Sequence, residues 1–287
     1  AMCHDIEAPT LDATALATDP HAQVRPIHRP PRRPADRHPH CARTVTIDPS
    51  HVPPETAPHT EAIGRTAAVA VELGPIDPAD EGRGDYSGPL LSDLRFADFS
   101  HSALVRIAEE VCLQQHLLTL GFLLGVRKRT DEDTALSLAR KQLTGIAGLA
   151  SERLRDALGL PRDVEGLATV LSVHPVFAPR QYVDCEISWE PGRLHLRLGR
   201  SGGADADGSW PTLIDGDHLG PLQALVRGVD PHFTARVVSE DAHALTVEVI
   251  REAEPASECG EVAITRFSTG ATFAFADRGI PLPLTVV

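Results

Sequence analysis

The sequence has very little lysine and few aromatic side chains. Lys128 and Lys141 are its only lysines, and aromatic residues make up 4% of the 287 residues. The formal net charge is −13, so a broad basic surface, on which nucleic-acid binding depends, is missing outside the arginines between residues 25 and 43. We therefore do not expect a nucleic-acid partner.

Long apolar runs and cofactor motifs are missing as well. The longest apolar stretch, residues 117–126, is far shorter than the roughly 20 residues of a membrane-spanning helix, and no signal-peptide pattern opens the chain. No G-x-G-x-x-G, P-loop or G-x-S-x-G motif occurs, which argues against nucleotide-dependent and serine-hydrolase chemistry. The five cysteines are widely spread and odd in number, unlike a secreted disulfide framework. We expect a soluble, cytoplasmic protein with no membrane partner.

By composition and apolar spacing, the chain divides into four regions. Residues 1–60 hold 7 of the 14 histidines and 11 of the 24 prolines, which predicts an extended arm rather than an independent core. Residues 61–89 contain a short element, helix or strand, and a turn-rich linker. Residues 90–180 have the spacing of helices, and residues 181–287 that of strands.

The helical region predicts two long helices joined as an antiparallel hairpin. Ser100 is a candidate N-cap of the first helix and Thr130 of the second, while Gly159 is placed to end the second. A shorter third helix is expected at 163–173.

The last region predicts an antiparallel sheet with one inserted helix, which begins near Asp217. The period-two pattern is clearest where Leu194, Leu196 and Leu198 alternate with polar residues. The fold class is therefore α+β. The expected strands are 183–189, 193–199, 233–239, 245–251, 261–267 and 271–276, and a short edge strand is also possible at 43–48.

Carboxylate and imidazole side chains gather around the inserted helix. Asp215, Asp217 and His218 lie at its expected start, and Asp230 and His232 follow its expected end. Such pairs act as general bases, although Asp217 is equally explained as a helix cap. Arginine forks suit an anionic substrate group, and aromatic rings suit a pocket wall. The predicted catalytic residues are Asp217, His218 and His232, and the predicted substrate-binding residues are Arg197, Arg266 and Trp210, with Trp189 and Phe233 nearby.

Two groups of histidine and cysteine are candidate ligands for a transition metal such as zinc or iron. Cys112 and His116 are four residues apart on a predicted helix, so both point to the same side. The alternative for this pair is a core cysteine beside a hydrogen-bonded histidine. For the first group, in residues 1–60, the alternative is a polar arm without a metal. The first group consists of Cys3, His4, His38, His40 and Cys41.

Residues 94–276 resemble the family of L-2-amino-thiazoline-4-carboxylate hydrolase. The likeness lies in the order of elements and in the segments "DFSHSALVRIAEEVCLQQHLL" and "VDPHFTARV". The resemblance implies a helical-plus-sheet fold that binds a small molecule. The family tends to carry cysteines around the inserted helix, whereas "LIDGDHLGPLQALVRG" has none, so cysteine-dependent hydrolysis is not implied for this chain.

These features predict a small-molecule enzyme of hydrolase or lyase type that acts on a compact anionic organic substrate. The alternatives are a ligand-binding or sensory module and a metal-binding accessory subunit of a larger complex. A homodimer is expected because residues 113–124 offer apolar side chains on more than one side of their helix.

Overall fold

The computed structural model describes residues 8–31, 33–37, 41–53, 55, 58–86 and 94–269. The chain forms two compact units, residues 1–60 and 61–287. Helices and antiparallel sheets are both present, which confirms the predicted α+β class. Among the described residues, none of the helices combines the length and the apolar character needed to span a membrane.

The first unit contains more regular structure than the expected extended arm. Helix α1 (Ala8–Thr18) packs on strand β1 (Ala22–His28), which pairs antiparallel with β2 (Ala42–Ile47). Strand β2 corresponds to the edge strand expected at 43–48, whereas α1 was not predicted.

Two short helices follow, α2 (Pro58–Gly64), which begins before residue 61, and α3 (Ala67–Ala70) in the second unit, so the ambiguous segment after residue 60 is helical. The backbone N–H groups of Ala67 and Ala68 donate to the carboxylate of Asp207, at 2.8 and 2.9 Å. These two hydrogen bonds satisfy backbone N–H groups at the start of α3, which have no partner within the helix.

Three helices follow in the predicted order. They are α4 (His101–Arg127), α5 (Glu132–Leu158) and α6 (Val164–Val173). The predicted cap of α4 is confirmed, because Ser100 accepts a hydrogen bond from the backbone N–H of Ala103.

Of the two capping residues predicted for α5, only the C-terminal one is confirmed. Asp131, not Thr130, is the N-cap, and its carboxylate accepts from the backbone N–H of Thr134 at 2.9 Å. Gly159 ends the helix as predicted, with a φ of 63° that favours glycine.

A four-stranded antiparallel sheet follows. The connection from the second to the third of these strands contains α7 (Gly203–Asp207) and α8 (Gly220–Val229). The four strands expected between residues 183 and 251 are thus confirmed, with the bounds β3 (Cys185–Glu190), β4 (Arg193–Gly199), β5 (Phe233–Glu240) and β6 (Ala244–Arg251). In the sheet they lie in the order β3-β4-β6-β5.

One face of this sheet packs beneath α6 and α8, and most of its side chains are buried there. Alternate residues of the strands point into the core, as their period-two pattern predicts. The buried side chains of this face include Leu194, Leu196, Leu198, Phe233, Ala235, Leu245, Val247 and Val249.

The strand predicted at 261–267 is wrong, because this segment is helix α9 (Gly260–Thr269). Its side chains Val262 and Thr265, three residues apart, sit directly over Gly148 and Gly145 of α5. Two glycines one turn apart open a groove in which a helix can dock. The last strand predicted, 271–276, lies outside the described residues.

Helix α5 packs most extensively against α8 rather than against α4, its expected hairpin partner. The contact is unusually close at Gly228, where an added Cβ would overlap the carbonyl oxygen of Gly148 and approach the Cβ of Ser151. The two helix backbones therefore meet with no side chain between them.

We expect Gly228→Ala to lower the free energy of unfolding by about 2 kcal/mol or more, since the new methyl group has to push two helices apart. Gly121→Ala is the matched control, because nothing lies within 4 Å of a Cβ at this position of α4. It should be neutral or stabilising by up to about 1 kcal/mol. Urea unfolding of both variants checks this, and equal midpoints for Gly228→Ala and the wild type would contradict it.

Candidate functional site

The segment that leads into α8 holds an aspartate and a histidine in direct contact. His218 Nδ1 lies 2.7 Å from a carboxylate oxygen of Asp215. Because an ionised carboxylate only accepts, the imidazole donates from Nδ1 and presents Nε2 as an acceptor. Among the described residues Nε2 has no hydrogen-bond partner. An imidazole held in this way can act as a general base.

Asp215 is itself held by neighbouring elements. Arg140 of α5 donates to its carboxylate at 3.2 Å, and the backbone N–H of Asp217 donates to it at 3.0 Å. Burial raises the pKa of Asp215, but the hydrogen bond and electrostatic attraction of His218, together with the positive charge of Arg140, outweigh burial and leave that pKa below its ordinary value. The carboxylate is therefore ionised at neutral pH.

A pocket of about 330 Å³ lies beside this pair. The His218 side chain is 45% exposed, so the pocket is open to solvent. Its volume is at the small end of the range for ligand sites. The lining residues are Ser137, Arg140, Lys141 and Thr144 of α5, together with Asp217, His218, Gly220 and Pro221.

Two predictions about the residues around His218 need correction. Helix α8 begins at Gly220 after Leu219, so Asp217 is not its cap. The side chain that contacts His218 is that of Asp215, which belongs to the predicted carboxylate and imidazole group but was not chosen as catalytic, whereas Arg140 and Lys141 were missed. The spacing Asp-x-x-His was the available signal for Asp215, since such residues meet across one turn.

His232 does not join His218. The ten residues of α8 separate the two histidines by about 15 Å along the helix axis. The His232 ring donates from Nδ1 to the carbonyl of Glu252 at 3.1 Å, and its backbone N–H donates to Asp230 at 2.9 Å. His232 therefore stabilises the turn between α8 and β5.

The predicted substrate-binding residues are dispersed. Trp210 is only 2% exposed and packs in the core with its ring centroid 5.2 Å from that of His116, and Phe233 is fully buried. Arg197, on the outer face of the sheet, lies 3.5 Å from Asp184. Trp189 is exposed at the end of β3. None of them lines the pocket beside His218.

Arg266 lies in a different cavity, where two carboxylates already engage it. Glu152 accepts two hydrogen bonds from its guanidinium, at 2.7 and 2.8 Å, and Glu258 accepts a third at 2.6 Å. Hydrogen bonds to these two carboxylates raise the pKa of Arg266. The Arg266 guanidinium therefore pairs with carboxylates of the protein and does not bind a substrate beside His218.

The second predicted metal pair is structural. His116 accepts from the Ser209 hydroxyl through Nδ1 at 2.7 Å and donates through Nε2 to the Ala178 carbonyl at 3.1 Å, so neither nitrogen is free for a metal. Burial lowers the pKa of His116 to about 4 and raises the pKa of Cys112 to about 11. The core interpretation of this pair fits these contacts.

The first predicted metal group falls mostly outside the described part of the chain. Cys3, His4, His38 and His40 lie outside the described residues, and Cys41 is described as a free cysteine. Among the described residues, no three histidine, cysteine or acidic side chains are placed to hold a metal ion. A zinc or iron site in the first unit stays a prediction.

Comparison with known proteins identifies no relatives. No protein-family model matches the chain, and no curated protein or solved structure is significantly similar to it. The resemblance to the thiazoline-carboxylate hydrolase family therefore stays a prediction.

We expect Asp215→Asn to lower the free energy of unfolding by about 1 kcal/mol at pH 7, because it removes the charge that holds His218 and Arg140. A lowered carboxyl pKa contributes stability that is present above the unfolded-state pKa, about 4, and is lost as pH falls through the folded-state value. The difference from wild type should therefore shrink below about pH 4. Asp217→Asn is the control, and an equal loss in both variants would contradict the assignment.

Proposed function

We propose that the chain is a small-molecule enzyme of hydrolase or lyase type and that the pocket beside His218 is its active site. The observation that carries the proposal is the 2.7 Å contact between Asp215 and His218 at the mouth of a pocket that also contains Arg140 and Lys141. A base and two cations in one pocket suit a compact anionic organic substrate.

The proposed roles follow from these contacts. His218 Nε2 takes a proton, either from an attacking water or from a carbon next to the substrate's carboxylate. Asp215 stabilises the imidazolium that forms, as the carboxylate does in other aspartate–histidine pairs. Lys141 and the outer edge of the Arg140 guanidinium attract the anionic group of the substrate.

The runner-up is a ligand-binding or sensory module that uses the same pocket without chemistry. The open position of His218 favours it, because an enzyme usually excludes water from its base. Either function fits the expected cytoplasmic location, which the free thiols of the four described cysteines also favour.

The test is turnover of a pool of compact carboxylic acids that carry an ester, an amide or a β-leaving group, followed by proton NMR. We expect one class to be consumed, and we expect His218→Asn to reduce its rate by about 10²-fold, the usual contribution of a general base. Arg140→Gln should raise the KM. His243→Asn, on an exposed turn, is the control and should leave the rate unchanged.

If the His218→Asn variant consumes the substrate at the wild-type rate, His218 is not the base. If nothing in the pool is consumed while a compound binds and His218→Asn abolishes that binding, the enzyme proposal fails and the binding module replaces it.

We also propose that the protein is a homodimer joined through α4. Val111, Leu118 and Phe122 form an apolar stripe along this helix, at spacings of seven and four residues, and Leu118 is 56% exposed. A stripe of this kind suits a self-complementary contact with a second copy.

Sedimentation at micromolar concentration should therefore give a dimer, and Leu118→Glu should convert it to a monomer because a buried charge opposes association. Leu138→Glu, at a partly exposed apolar residue of α5, is the control and should remain dimeric. A wild-type monomer, or a Leu118→Glu dimer, would rule out this interface.

A further inference from the structure

A second cavity lies at the opposite end of α8 from His218. It has a volume of about 410 Å³ and is lined mainly by residues of α5, α8, α9 and the segment before α9. Along the axis of α8, Arg227 in this cavity is roughly 10 Å from Gly220 in the pocket beside His218. The two sites therefore share a pair of helices but not their lining.

The cavity wall carries four arginines and only two carboxylates. The carboxylates, Glu152 and Glu258, are both engaged by Arg266. Arg155 is held in place by the Val229 carbonyl, which accepts from it at 2.9 Å, and by Asp156, which pairs with it from outside the cavity. No cavity carboxylate is left for the other two arginines.

These two arginines, Arg162 and Arg227, make no ion pair with any residue that the structure describes. The Nε atom of Arg227 is closed off from solvent and has no hydrogen-bond partner in the described part of the chain. A buried donor of a charged group costs about 1–3 kcal/mol or more when it stays unpaired. The other nitrogens of the Arg227 guanidinium also make no hydrogen bond within the described part of the chain, so they are left to donate to an anion in the cavity.

We propose that this cavity binds a compact organic dianion, either a phosphate monoester or a dicarboxylate. Two guanidinium groups without protein carboxylates match two negative charges, and their planar forks suit phosphate and carboxylate oxygens. The cavity also lies at the N-terminal end of α9, where the helix dipole favours negative charge. This site is separate from the proposed active site, and its occupancy does not depend on His218.

Cys259 lines the cavity, so the reactivity of its thiol can report whether an anion is bound there. In the full chain, iodoacetamide labelling read at the peptide level by mass spectrometry follows this thiol separately from the other cysteines. The probes are glycerol 3-phosphate, succinate, acetate and glycerol, each at the same ionic strength. We expect at least one dianion to slow the alkylation of Cys259 at least tenfold, with much weaker protection by acetate and none by glycerol.

Titration calorimetry with the protective dianion then tests the residues. Arg227→Gln and Arg162→Gln should each weaken its affinity at least tenfold, and the second variant keeps the test valid if the first does not fold. Arg129→Gln, on an exposed residue at the end of α4, is the matched control and should bind as wild type. Better protection by the phosphate or by the dicarboxylate identifies which anion the site prefers.

Two results would overturn the proposal. One is that no dianion protects Cys259 and none gives a binding heat. The other is that both arginine variants bind as tightly as wild type. Either result leaves the activity assigned to His218 untouched, so failure here is distinguishable from failure of the proposed function.

Discussion

The close contact between α5 and α8 is the constraint on which the rest of the second unit depends. Gly148 and Gly228 let the two backbones meet without an intervening side chain. That contact holds α8 against the buried face of the sheet, where α6 lies beside it. Another glycine of α5, Gly145, together with Gly148, receives α9 on the same helix. One glycine-lined helix therefore positions both a sheet-covering helix and the final helix.

Both candidate sites arise from this arrangement. At one end of the helix pair, α5 supplies cations to a pocket whose base is carried by the segment before α8. At the other end, arginines from both helices face a cavity that α9 closes. The sequence analysis combined His218, His232 and Arg266 in one site. Helix α8 keeps them apart because its length separates residues that are close in the sequence.

The sequence predicts the elements whose apolar period is long and regular. The strands from residue 185 to 251 and the three helices after Ser100 were expected on this basis. The segment 261–267 was not assigned correctly, because a short apolar run fits a strand or a helix, and only the groove on α5 decides between them. The starts of α5 and α8 differ from the predicted ones by one residue or more, because neighbouring residues can each begin a helix.

The candidate site was predictable only where its contacts are local. The pairing of Asp215 with His218 spans three residues and is visible as a spacing. Arg140 reaches Asp215 across 75 residues, so nothing in the local sequence identifies it. The same holds for the cavity around Arg227, whose walls come from three helices. Tertiary packing, and not motif, creates these sites.

Amide hydrogen exchange tests the central role of the α5–α8 contact most directly, because it measures the opening free energy of each element separately. The account predicts that residues 143–151 of α5 and 222–229 of α8 exchange only through global unfolding, with the same free energy as the central strands β4 and β6. Faster exchange of either helix, while the two strands remain protected, would contradict it.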